Sequence, residues 1–197
     1  MGIFKDSAKS LDDFRTLATT GLLIAMAIAL RAAAIQLTPD VRITFQFLPI
    51  CVIAMLYGPV VSMMGALATD LIGFMFNATG FPYSIQLGVS VAIGGLIYGI
   101  FLYRKNTSEY ICLYGAIARI AVVLICNIAL NSYFMFTLFT NPQVDVFTAD
   151  GFPIFITTSM PRIAKSLIML PIDIALICIV LPIAYKAYQR FFGGKRK

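Results

Sequence analysis

The sequence predicts an all-α membrane protein, a bundle of six transmembrane helices with both termini in the cytoplasm. Three observations carry that reading. Of 197 residues, 60% are hydrophobic and only 12% are charged, whereas soluble domains are about half apolar and about a quarter charged. The apolar residues gather into runs approaching or exceeding the roughly 20 residues that a spanning helix needs. The basic residues collect on one set of alternating loops, as the positive-inside rule requires of a cytoplasmic face. The excess of 15 Lys+Arg over 9 Asp+Glu, net +6, therefore speaks for membrane orientation and not for a nucleic-acid partner.

Taken in order, residues 1–15 form a charged cytoplasmic segment holding Asp6, Asp12 and Asp13 and no cleavage site, unlike a secretory signal peptide. Its Ile3, Phe4, Leu11 and Phe14 suit either a helix lying on the membrane surface or a frayed tail. The membrane domain occupies residues 16–188. Its first helix runs from about Thr16 to Gln36, and a short second one from about Phe45 to Tyr57. The corner Tyr57-Gly58-Pro59 leads into a third, from Pro59 to about Asn77. The fourth covers about Ser84 to Tyr103 and the fifth about Tyr110 to Phe139. The sixth runs from about Ile154 to Tyr188 and is interrupted by Pro161, Pro171 and Pro182, since proline removes a helix hydrogen bond. Residues 189–197 are a basic tail.

Six spans place Lys5, Lys9, Arg15, Arg104, Lys105 and the C-terminal basic cluster on one side. The opposite loops, 37–44, 78–83 and 140–153, hold Asp40, Asp145 and Asp150 against Arg42 alone. These outer loops are rich in Gly, Pro, Asn and aromatic residues, so they serve either to cap a pocket or merely to connect helices. Their aromatics and those just beyond, Phe81, Tyr83, Phe147, Phe152 and Phe155, suit stacking on a flat ligand or an interfacial belt.

Charges at membrane depth are costly and face the bundle interior. Depth along the helices allows two structural ion pairs, Arg31 with Asp70 and Arg119 with Asp173. The remaining two, Arg162 and Lys165, make a surplus of positive charge three residues apart on one face of the sixth helix. Either an anionic ligand completes them or they snorkel to outer headgroups. Ser166, Met169 and Asp173 continue their stripe at helical spacing. In the fifth helix Asn127 and Asn131 project from one face, where amides either glue helices together or read the edge of a heterocycle. In the first helix Gly21, Ala25, Ala29 and Ala33 recur every four residues, a flat stripe for close packing against an internal or external helix.

Several chemistries are excluded. The chain has no histidine, so imidazole catalysis and histidine-held zinc or haem are out, and no metal or cofactor is expected. The four cysteines, Cys51, Cys112, Cys126 and Cys178, lie in apolar runs and read as small buried hydrophobes, not as a disulfide frame. There is no phosphate-binding G-x-x-x-x-G-K-[ST] loop. Asp70 and Asp173 fall at different depths, which disfavours an aspartyl pair. The chain is expected to be no enzyme.

Certain runs resemble a known family. Ile43-Thr44-Phe45-Gln46-Phe47-Leu48-Pro49 leading to Leu56-Tyr57-Gly58-Pro59, then Gly65, Asp70 and Gly73, and Gly95-Leu96-Ile97-Tyr98-Gly99, look like the substrate-binding (S) component of an energy-coupling-factor (ECF) vitamin transporter. The sixth-helix run from Pro161-Arg162 through Lys165 to Pro171 resembles the R-x-x-K-x-x-x-x-x-P segment of the folate branch. Asn131-Ser132-Tyr133-Phe134-Met135 keeps that branch's asparagine but not its tryptophan, and Phe81-Pro82-Tyr83-Ser84 stands where a Phe-Phe-Pro-Gly-like run is usual. The resemblance implies capture of a vitamin, folate first, at the outer face by Arg162, Lys165, Asn131, Asn127, Phe81, Tyr83, Met169 and Phe152. It further implies that Gly21, Ala25 and Ala29 dock a transmembrane coupling subunit served by two cytoplasmic ATPases. The alternatives are an S component for a pyrimidine or queuosine precursor, or a self-sufficient small carrier.

Overall fold

A computed structural model of the chain describes residues 2–38, 41–76, 84–103, 110–137 and 151–192. The elements are α1 (Ile3–Lys9), α2 (Phe14–Ala32), the strands β1 (Ile35–Thr38) and β2 (Val41–Ile43), α3 (Phe47–Tyr57), α4 (Pro59–Phe76) and α5 (Ile85–Leu102). The fifth span is composite: α6 (Ile111–Val122), a π-helical stretch Val123–Asn131, and α7 (Ser132–Met135). Last comes α8 (Gly151–Phe192).

Five of these helical stretches are long and apolar enough to cross a membrane, and α3 is a shorter apolar helix. At 11 residues, α3 is about 16 Å long, short of the hydrocarbon core. It lies at the centre of the bundle against α2, α4, α5 and α8. Every residue from Pro49 to Met55 is buried, as expected of a helix that is apolar all round.

Glycines set the tightest contact, between α4 and α5. A Cβ on Gly99 would lie 2.2 Å from Pro59 Cα, and one on Gly95 2.6 Å from the Ser62 carbonyl oxygen. Ser62 Oγ donates to the Gly95 carbonyl at 2.7 Å. The expected small-residue packing of the fourth span is thus internal.

The α3–α4 corner needs Gly58, whose φ is +89° and whose added Cβ would meet Ser7 Oγ at 2.9 Å. Ser7, fully buried, donates to the Tyr57 carbonyl at 2.7 Å and accepts from Val60 N–H at 3.1 Å. The N-terminal segment is therefore not a frayed tail. It folds back as α1, with Ile3 and Phe4 exposed, and α2 starts at Phe14, before the expected boundary.

Three further expectations need correction. The all-α class holds, but the first helix ends at Ala32 instead of near Gln36, and two short strands pair antiparallel after it, with Ile35 opposite Ile43 and Gln36 opposite Arg42. The β-branched residues Ile35, Thr38, Val41 and Ile43 favour strands. The prolines do not interrupt α8, which is continuous for 42 residues with all three inside it. Pro161 and Pro171 lie on its exposed face. Finally, Cys112 and Cys178 form a disulfide, Cα–Cα 4.7 Å, while Cys51 and Cys126 are buried and free. A separation of 66 residues leaves no local sequence signal. It is the close pass of α6 against α8, where a Cβ on Gly115 would meet Ile177 at 2.6 Å, that brings the two cysteines together.

Candidate functional site

One end of the bundle opens into a cavity of ≈ 330 Å³. From α8 it is lined by Arg162, Lys165, Ser166, Met169 and Asp173, and from the fifth span by Arg119, Val123, Asn127 and Asn131. Val91 of α5 and the chain from β2 into α3 (Ile43, Thr44, Gln46, Phe47) complete it. The α8 lining follows from periodicity: 162, 165, 166, 169 and 173 share one helical face, which continues through buried Ile177 and Leu181. A second cavity of ≈ 260 Å³ shares Gln46, Phe47, Val91, Arg119, Asn127 and Asn131 with the first. It extends among Ile50, Leu87 and Val122 and also reaches Asp70, Ser90 and Tyr98.

The π-helical stretch bears both asparagines. Insertions of this kind recur at functional sites because they redirect side chains and free carbonyls. Here Ser90 Oγ donates to the Cys126 carbonyl at 3.3 Å and Ser132 Oγ to the Asn127 carbonyl at 3.4 Å.

Both expected ion pairs form. Arg31 Nη1 lies 2.7 Å from Asp70 Oδ1, joining α2 to α4, with the arginine stem laid over Gly73, where a Cβ would meet Cδ at 2.7 Å. Arg119 donates to Asp173 Oδ2 through Nη2 at 2.6 Å and Nε at 3.1 Å. It also donates to the Tyr98 hydroxyl at 2.8 Å, and its guanidinium carbon sits 3.9 Å from the Phe47 ring centroid. The pair is more than a brace, since both members line the first cavity. Three cations, Arg119, Arg162 and Lys165, line the first cavity with one carboxylate, Asp173, which makes the lining basic.

A family model described as the ECF transporter substrate-specific component matches residues 15–181. The chain belongs to that family. This S component is 29% identical over 158 residues to the folate transporter FolT of Leuconostoc mesenteroides, covering 79% of this chain and 80% of the relative. It is also 29% identical over 153 residues to the folate transporter FolT of Clostridium novyi, covering 78% and 77%. Among solved structures it is similar to the crystal structure of FolT bound with folic acid, at TM-score 0.66 and 25% identity, covering 84% of this chain and 90% of that one. Family and helices together make the S component a multi-pass protein of the cytoplasmic membrane.

Of the site residues expected from sequence, Arg162, Lys165, Asn127, Asn131 and Met169 meet in the first cavity of this S component. Phe152 does not. It is 57% exposed in the first turn of α8, ten residues before Arg162, which is about 15 Å along the axis. Phe81 and Tyr83 lie outside the described residues. Phe155 packs edge-to-face on Phe136, ring centroids 5.5 Å apart. Sequence reasoning missed Thr44, Gln46 and Phe47, which read as the start of an apolar span. The available signal was Gln46 itself, a lone amide between two phenylalanines.

Gly21, Ala25 and Ala29 are exposed along α2, and a Cβ on Gly21 would meet nothing within 4 Å. The inward face of that helix is instead Thr16, Thr20 and Ala27. The small-residue stripe is thus not used for packing inside this S component.

Proposed function

We propose that this S component captures folate at the outer face of the membrane and delivers it through a transmembrane coupling subunit energised by two cytoplasmic ATPases, without chemistry of its own. The observation that carries this is the shared cavity: Arg162 and Lys165 beside Asn127 and Asn131. Two cations suit the two carboxylates of folate's glutamate, and two carboxamides suit the donor and acceptor edge of its pterin. The names of the FolT relatives support the same ligand. The basic loops and tail support a cytoplasmic location for both termini.

The test is to purify the protein from cells in detergent and identify the ligand that accompanies it by absorbance and mass spectrometry, then titrate the emptied protein with folate. A pterin spectrum and saturable folate binding are expected. A pyrimidine or queuosine precursor in its place would overturn the folate assignment and keep the S component. Uptake by the protein reconstituted alone would instead identify a self-sufficient carrier.

The exposed Gly21, Ala25 and Ala29 are proposed as the docking face for the coupling subunit. Small residues let backbones approach closely, and a leucine there holds a partner helix away. Ala29→Leu is expected to retain folate binding and to lose co-purification with the coupling subunit and ATPases. Full assembly of that variant would place the docking face elsewhere.

A further inference from the structure

We infer that Gln46 is a specificity-determining residue of this site, its Oε1 accepting a hydrogen bond from the exocyclic amino group of the ligand's heterocycle where the two cavities meet. The inference rests on the folate reading above. Gln46 Oε1 is buried and has no hydrogen-bond partner among the described residues. Buried side-chain acceptors are nearly always satisfied, and one that is not carries a free-energy cost that a ligand donor removes.

The position of Gln46 says which part of a ligand reaches it. It lines both cavities, whereas Arg162 and Lys165 line only the first. Carboxylates held by those cations leave the flat ring directed at the junction and the more apolar second cavity. A carboxamide oxygen only accepts, and an exocyclic amino group presents N–H donors, so the two match. A carboxylate at the same place would meet oxygen with oxygen. The backbone beside Gln46 is well held, because Phe47 is buried under the Arg119 guanidinium. The amide therefore extends from a fixed stretch of backbone, and a site with such a polar group discriminates strongly against analogues that cannot pair with it.

The experiment compares folate with the analogue in which a methyl group replaces the 2-amino group, using calorimetric titration of wild type, Gln46→Met and Gln46→Glu. Wild type is expected to prefer folate by about tenfold or more. Gln46→Met removes the acceptor at similar volume and is expected to lose that preference while keeping its thermal stability. Gln46→Glu keeps an acceptor oxygen and is expected to keep the preference. Equal wild-type affinity for the two ligands, or an undiminished preference in Gln46→Met, would overturn the inference and leave the folate assignment standing. Failure of wild type to bind folate at all would remove the folate reading, and the inference with it. Should Gln46→Met not fold, Gln46→Leu takes its place with the same expected loss of preference, and equal wild-type affinity for the two ligands overturns the inference on its own.

Discussion

Asp173→Ala is expected to cost about 3–5 kcal/mol of stability, the usual result of breaking a buried ion pair from one side. Arg119 would keep the Tyr98 hydroxyl at 2.8 Å and the Phe47 ring at 3.9 Å, but it would lose the carboxylate that takes two of its donors. At membrane depth a guanidinium has little else to balance it. The control is the double variant Arg119→Met with Asp173→Leu, which removes both charges and both desolvation costs. It is expected to recover most of the lost stability, because apolar replacement of a complete buried pair is close to neutral. Thermal unfolding in detergent is the measurement. A loss below about 1 kcal/mol for Asp173→Ala, on the scale of exposed pairs, would mean that the cavity solvates Arg119 well enough to make the carboxylate dispensable.

The second large effect concerns the ligand. Arg162→Ala and Lys165→Ala are each expected to weaken folate binding by about 1.5–3 kcal/mol, the range for hydrogen bonds to charged groups. If each cation serves its own carboxylate, the double variant loses roughly the sum, about 3–6 kcal/mol. If they share one carboxylate, the double variant loses clearly less than the sum, since neighbouring residues on one ligand group are not additive. Titration with 6-methylpterin, which carries no carboxylate, supplies the reference: both substitutions are expected to matter little there. Unchanged folate affinity in both single variants would remove the anion-site argument.

The helical bundle was legible because its signals are local. Apolar runs and loop charges depend on nothing but the order of residues along the chain. The stripe 162, 165, 166, 169 and 173 was legible for the same reason, since a helix converts spacing into a face. The ion pairs Arg31–Asp70 and Arg119–Asp173 were accessible because a membrane adds a depth axis, and depth is counted in residues.

The misreadings have a common cause of the opposite kind. Residues 35–38 and 41–43 looked like the end of a helix followed by a loop, and only the antiparallel pairing of two short segments makes them strands. Cys112 and Cys178 meet because α6 and α8 pass closely at Gly115. Pro171 looked like a break, but α8 continues through it with the proline ring on the exposed face.

What the sequence determined by itself is the class of molecule, its long apolar helices and the α8 face that carries Arg162 and Lys165. Each of these is a property of composition or of one helix's period. The tertiary structure alone decided that Gln46 and Phe47 stand in the same wall as Asn127, that the Arg119–Asp173 pair borders the cavity, and that the stripe of Gly21, Ala25 and Ala29 faces outward. Those facts depend on how separate helices rotate and stack against each other, and no single helix carries that information.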